Sequence, residues 1–79
     1  MKAKVYVTLK TGVFDPQGKT VLGSLQSLGY QTLTNVRVGK LIELQMETKS
    51  KKEAEAQLKE MCERFLANTV IEDYKIFLE

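Results

Sequence analysis

The 79-residue sequence has no histidine and no tryptophan, one cysteine and one proline. Without histidine, neither a Ser-His-Asp triad nor a Cys-His nucleophile pair assembles within one chain, and a conventional zinc site lacks its usual donors. The lone Cys62 excludes an internal disulfide. Catalysis by this chain alone would fall to carboxylates, lysines or tyrosines. Charge of one sign is lacking too: 12 basic and 10 acidic residues are interspersed and leave a net +2, so there is no basic arm for nucleic acid. No apolar run approaches the ~20 residues of a membrane span and no signal-peptide pattern stands out, so the expectation is a soluble cytoplasmic protein. Residues 1–79 are read as one domain. A chain of this length buries only about 60 to 65% of its unfolded surface, and its net stability is expected to be about 4 to 12 kcal/mol. So thin a core makes oligomerisation an expectation from the outset.

One stretch invites a nucleotide. GVFDPQGKT, residues 12–20, ends in the Gly-Lys-Thr that closes a phosphate-binding loop. The spacing fails by one, since Val13 stands where the first glycine belongs. Pro16 has no N–H to offer, and Asp15 would set a carboxylate against the phosphates. The same residues make sense as a helix start, with Asp15 as N-cap and Pro16 as first helical residue.

The apolar pattern places the elements. KAKVYVTLK, residues 2–10, alternates, with Val5, Val7 and Leu9 on one face of a half-buried strand. Val21, Leu22, Leu25 and Leu28 follow a helical spacing that stops at Gly29, predicting a helix over 16–28. From Asn35 to Thr48 the period is two, placing Val36, Val38, Ile42, Leu44 and Met46 on one face. As a single strand this would extend about 45 Å, more than so small a domain needs. Either a turn at Gly39-Lys40-Leu41 folds it into a hairpin, or it bends at Gly39 and its distal half pairs with a second subunit. Ser50-Lys51-Lys52-Glu53 reads as a capping box in which Ser50 caps forward and Glu53 reaches back. A helix follows with the apolar stripe Ala54, Leu58, Met61, Cys62, Phe65 and Leu66, the pairs Glu55-Lys59 and Glu60-Arg64 on its wet side, and a stop near Asn68. Cys62 reads as packing. The last strand carries Tyr74, Ile76 and Leu78 on one face. Phe77, Leu41 and Tyr6 lie out of phase with their strands' main apolar face, suggesting that the second surface of the sheet is covered as well, by another copy. The order is β-α-β(β)-α-β: an α+β two-layer sandwich, ferredoxin-like, with a mainly antiparallel sheet and two helices on one face.

These residues carry a family resemblance. KTGVFDPQGKTV, LGY at 28–30, VRVGK at 36–40 and MCERFLANTVIEDY at 61–74 resemble, across essentially the whole chain, the small PurS subunit of phosphoribosylformylglycinamidine synthase. The Asp-Pro-x-Gly, Val-Arg-Val-Gly-Lys and Cys-Glu-x-x-Leu-Ala-Asn segments keep the family's order and spacing, with Phe65 between Arg64 and Leu66. Thr11 and Thr69 stand where the family commonly has proline, which loosens two loops. The resemblance implies a noncatalytic subunit of an ATP-dependent carbon-nitrogen ligase of purine biosynthesis. It implies partners: itself, as a dimer or pair of dimers, a glutaminase subunit that releases ammonia, and a synthetase subunit that uses it. ATP and Mg²⁺ would belong to the synthetase, with no cofactor in this chain.

Within that frame the candidate partner-interface residues are Lys10, Asp15, Gln17, Arg37, Lys40, Glu72 and Asp73. Arg37 offers a bidentate fork for a carboxylate and Lys40 a point charge, although alternating charges on a strand also describe a merely solvated face. Asp15 has the competing role of N-cap. Glu72 and Asp73 would either meet a basic patch or keep the last strand in register. A dimeric small-molecule-binding module resembling the ACT domain shares the element order and is the competing reading. An RNA-binding sheet is disfavoured, because no aromatic pair on one face stands ready to stack bases.

Overall fold

The computed structural model describes residues 1–79. β1, Lys2–Leu9, is the central strand of a three-stranded antiparallel sheet. Its alternation sends Ala3, Val5 and Val7 to one face, where all three are buried. β2, Lys40–Gln45, flanks one side with Ile42 opposite Val5, and β3, Glu72–Leu78, the other with Ile76 opposite Val5. The order of elements is β-α-β-α-β.

α2, Lys51–Met61, covers the inner face. It starts where expected, Ser50 Oγ accepting from the Glu53 N–H at 3.2 Å, but the box closes only halfway. Glu53 meets the Thr48 hydroxyl at 3.5 Å, and that hydroxyl takes the Ser50 N–H at 3.2 Å in its place. Ala54, Leu58 and Cys62 recur every four residues and are fully buried, Cys62 packing among Val5, Val7 and Leu58. Burial pushes its thiol pKa up, with a smaller push from Glu63, the signature of an inert core cysteine. Of the two wet-side pairs, Glu60-Arg64 forms at 3.0 Å and is the one i,i+4 ion pair in the chain.

The predicted stripe fails at Phe65. Residues Cys62–Leu66 continue α2 as a π-helical turn, the Ala67 N–H reaching back five residues to the Cys62 carbonyl at 3.1 Å. The wider turn breaks the helical spacing, leaving Leu66 packed against the core and Phe65 87% exposed.

α1, Pro16–Ser27, begins at Asp15 and ends in a Schellman motif: Tyr30 N–H bonds Leu25 O, Gly29 N–H bonds Gln26 O, and Gly29 takes φ +106°. It lies off the sheet, so α2 alone covers the inner face within the chain. Its only buried residue is Gly18, and Leu28 is 73% exposed. The reason lies in residues 33–39, which form no hairpin. The half of the long alternating run after Gly39 is β2 and pairs with β1 of the same chain. The half before Gly39 remains extended outside the sheet. It runs beside α1, with Gln26 Nε2 donating to Leu33 O at 3.2 Å and the Val36 carbonyl pressed against Gly18. A Cβ at Gly39 would stand 2.5 Å from the Val7 carbonyl, so only glycine passes there.

Candidate partner interface

Both outer strands run antiparallel to β1, so the end of β1 lies beside the starts of β2 and β3. Val7 stands opposite Lys40 and Leu9 opposite Glu72. α1 leaves from the same end. Lys10, Asp15, Gln17, Arg37, Lys40, Glu72 and Asp73, scattered over 64 positions of sequence, therefore gather at one end of the molecule.

Asp15 is its centre. The side chain is 8% exposed. Oδ1 accepts from the Gly18 N–H at 2.8 Å and Oδ2 from the Val38 N–H at 2.9 Å, with Arg37 Nε 3.7 Å from Oδ2. The Gly18 bond, then the Val38 bond, hold the carboxyl pKa below its ordinary value; partial burial opposes them and the Arg37 charge assists. Asp15 is thus both N-cap and clamp, facing inward. Arg37 reaches from the clamp to the end of β1, its Nη2 donating to Leu9 O at 2.5 Å and Lys10 O at 3.3 Å. Lys10 Nζ pairs with Asp73 at 3.4 Å, and Glu72 Oε1 accepts from the Asn68 N–H at 2.7 Å, tying off the turn before β3. Lys40 and Gln17 are exposed. The surface this end presents is mixed in charge, with Lys40 and Gln17 as free donors and the Lys10-Asp73 pair beside them.

The geometry also disposes of the phosphate loop. The Gly18 N–H is taken by Asp15, and Lys19 Nζ sits 5.7 Å from the centroid of the Phe14 ring. No group of three or more His, Cys, Asp or Glu is placed to hold a metal ion.

A second surface lies on the outer face of the sheet. Tyr6 stands opposite Leu41, and its ring meets Phe77 edge-on with centroids 5.4 Å apart. The three residues picked out by their phase are thus neighbours, each between 42% and 50% exposed. The Lys4-Glu79 pair, at 3.2 Å, borders them, and its hydrogen bond raises the Lys4 pKa. Sequence reasoning did not single out Phe14 or Val70 as exposed apolar groups, at 68% and 81%. Phe14 precedes the N-cap in a region without periodicity, and Val70 sits in the turn that Asn68 closes, its N–H bonding Asn68 Oδ1 at 3.2 Å.

The model of the family described as PurS, phosphoribosylformylglycinamidine (FGAM) synthase, matches residues 2–79. The chain belongs to the PurS family. The PurS subunit of Bacillus subtilis is 51% identical over 78 residues, 99% of this chain and 92% of that one. The PurS subunit of Methanocaldococcus jannaschii is 38% identical, over 99% and 94%. The solved structure of B. subtilis PurS superposes with a TM-score of 0.87 over 99% of this chain and 96% of that one. A chain in the structure of PurLQS from Thermotoga maritima, 32% identical, gives 0.87 over 96% and 93%. PurS is a subunit of FGAM synthase, a ligase of purine biosynthesis, and family membership sets aside the ACT-like module. No helix is long and apolar enough to cross a membrane.

Proposed function

We propose that this chain is the noncatalytic small subunit of a glutamine-dependent FGAM synthase, holding a glutaminase subunit and an ATP-dependent synthetase subunit together while ammonia passes between their active sites. The observation that carries this reading is the end-to-end match to a chain of the PurLQS assembly. The surface supports it: a polar end with Lys40 and Gln17 free, and an apolar sheet face bordered by ion pairs, are contact surfaces of the kind found at interfaces. ATP and Mg²⁺ belong to the synthetase subunit, and the chain acts in the cytoplasm as a dimer or pair of dimers.

The physical reason for such a bridge is containment. Ammonia released into water at neutral pH is mostly protonated and no longer nucleophilic, so a short dry route preserves the reactive form. The subunit then raises the rate by geometry, without touching substrate.

Affinity capture on this chain from native lysate, with glutamine, Mg²⁺ and ADP present, is expected to retain two larger proteins. Amidine formation from glutamine should fall when the chain is removed. Retention of neither protein overturns the reading.

A further inference from the structure

We propose that β3 is a docking edge, where one of the two larger subunits adds a strand carrying an acidic, a basic and an acidic residue at i, i+2 and i+4 on its inner side. This rests on the bridging function proposed above and names the chemistry that one of its contacts reads.

The backbone is the first argument. β3 is an edge strand, hydrogen-bonded to β1 alone. The Glu79 N–H donates to Lys2 O at 2.9 Å and the Lys10 N–H to Ile71 O at 2.8 Å. Odd-numbered residues of β3 therefore turn their N–H and C=O groups toward β1, and even-numbered ones turn theirs away. Those of Tyr74, Ile76 and Leu78 face outward, and no turn or cap takes them. The pairing with β1 runs the length of β3 without bulge or proline, leaving an edge that an extended segment can lengthen.

The second argument is what flanks that edge. A groove of about 470 Å³ follows it, walled by Tyr74, Ile76 and Leu78 of β3 and by Lys51, Glu55 and Lys59 of α2. α2 runs antiparallel to β3, Glu63 just past its C-terminal end meeting Tyr74 near the start of the strand. All three helix charges are exposed. None belongs to an ion pair within the chain, although Lys51-Glu55 and Glu55-Lys59 both have the i,i+4 spacing. Four helical residues rise about 6 Å and two strand residues about 6.7 Å. Side chains that an added strand sets opposite Tyr74, Ile76 and Leu78 thus step along the groove nearly in phase with Lys59, Glu55 and Lys51.

Charge complementarity fixes the occupant. Acidic, basic and acidic side chains at alternate positions meet Lys59, Glu55 and Lys51 in turn, and the pattern reads the same in either strand direction. No stretch of the 79 residues carries it. Glu47-Thr48-Lys49 and Asp73-Tyr74-Lys75 supply the first acid and the base, but Lys51 and Phe77 stand where the second acid belongs. The added strand therefore comes from a different polypeptide. Its main-chain groups give the affinity, and the three charges give the register.

Two end-capped peptides probe the edge, Thr-Glu-Val-Lys-Val-Glu-Thr and its charge-reversed form Thr-Lys-Val-Glu-Val-Lys-Thr, each titrated into isotope-labelled chain and followed by NMR. The first is expected to shift the amides of Tyr74, Ile76 and Leu78 and to bind about tenfold more tightly than the second. A variant carrying Lys51→Glu, Glu55→Lys and Lys59→Glu, all exposed positions, should keep the wild-type circular dichroism and invert the preference. Equal binding of the two peptides, or shifts confined to other residues, overturns the proposal. In the capture experiment the same variant should retain the larger proteins about tenfold less well; undiminished retention overturns the docking edge and leaves the bridging reading standing. Retention of neither protein by the wild type overturns both. Slow amide exchange at Tyr74, Ile76 and Leu78 in the isolated chain would place a second copy on the edge and likewise overturn the proposal.

Discussion

Asp15 Oδ2 accepts the backbone N–H of Val38, 23 residues away, at 2.9 Å. Through that bond the carboxylate that starts α1 also fixes the segment entering β2, so one side chain ties the start of the helix to residues 33–39.

Asp15→Asn tests the clamp. Its amide keeps one acceptor for two N–H groups, so one stays unmet; a lower Tm at pH 7 is expected. The pH dependence follows from the lowered carboxyl pKa. The stability contributed by Asp15 is fully present above the ordinary aspartate pKa, about 3.9, and is lost as pH falls through the lower folded-state value. Thermal melts of the two proteins should differ from pH 5 to 8 and converge in stronger acid.

The glycines of α1 separate helix propensity from tertiary contact. A Cβ at Gly18 meets the Val36 carbonyl and the Asp15 carboxylate, whereas one at Gly23 meets nothing within 4 Å. Gly23→Ala is expected to stabilise by about 0.5 to 1 kcal/mol. Gly18→Ala should lower the Tm despite the same gain in propensity. Paired thermal melts decide; equal shifts would contradict the packing of 33–39 on α1.

Tyr74 donates its hydroxyl to Glu63 at 2.7 Å, which pushes the phenol pKa up to about 12. A group raised on folding contributes stability below its ordinary pKa, near 10, and loses it as pH rises through the folded value. Ultraviolet titration should show one of the three tyrosines ionising near pH 12. Glu63→Gln should bring that transition down toward 10.

Arg37 tests the polar end as a contact surface. Its side chain is one-third exposed, so Arg37→Ala should change stability by no more than about 1 kcal/mol in urea denaturation. Retention of the larger subunits in the capture experiment is expected to weaken several-fold, and Arg37→Lys, which restores charge without the fork, should recover only part. Undiminished retention by Arg37→Ala would reduce the residue to a brace on the end of β1.

The parts legible in the sequence were those decided within a few residues. Asp15-Pro16 and Ser50 mark helix starts because a cap bonds a donor three positions on, and Gly29 marks a stop because it readily takes positive φ. Tyr6, Leu41 and Phe77 were visible by phase. Phe65 was misread because periodicity assumes 3.6 residues per turn, which the π turn violates. The seven candidate residues could be named singly, but nothing local says that antiparallel pairing brings them to one end.

Residue order and chemistry thus determined the element types, the buried face of β1, the chain's family and the absence of a histidine-based site, because caps, alternation and composition act locally. Whether the run around Gly39 turns back as a hairpin or bends there, and so where α1 stands, was decided only in three dimensions. Alternation is identical in both cases, and the choice rests on contacts between residues far apart in the chain, Gly39 on Val7, Val36 on Gly18 and Val38 on Asp15.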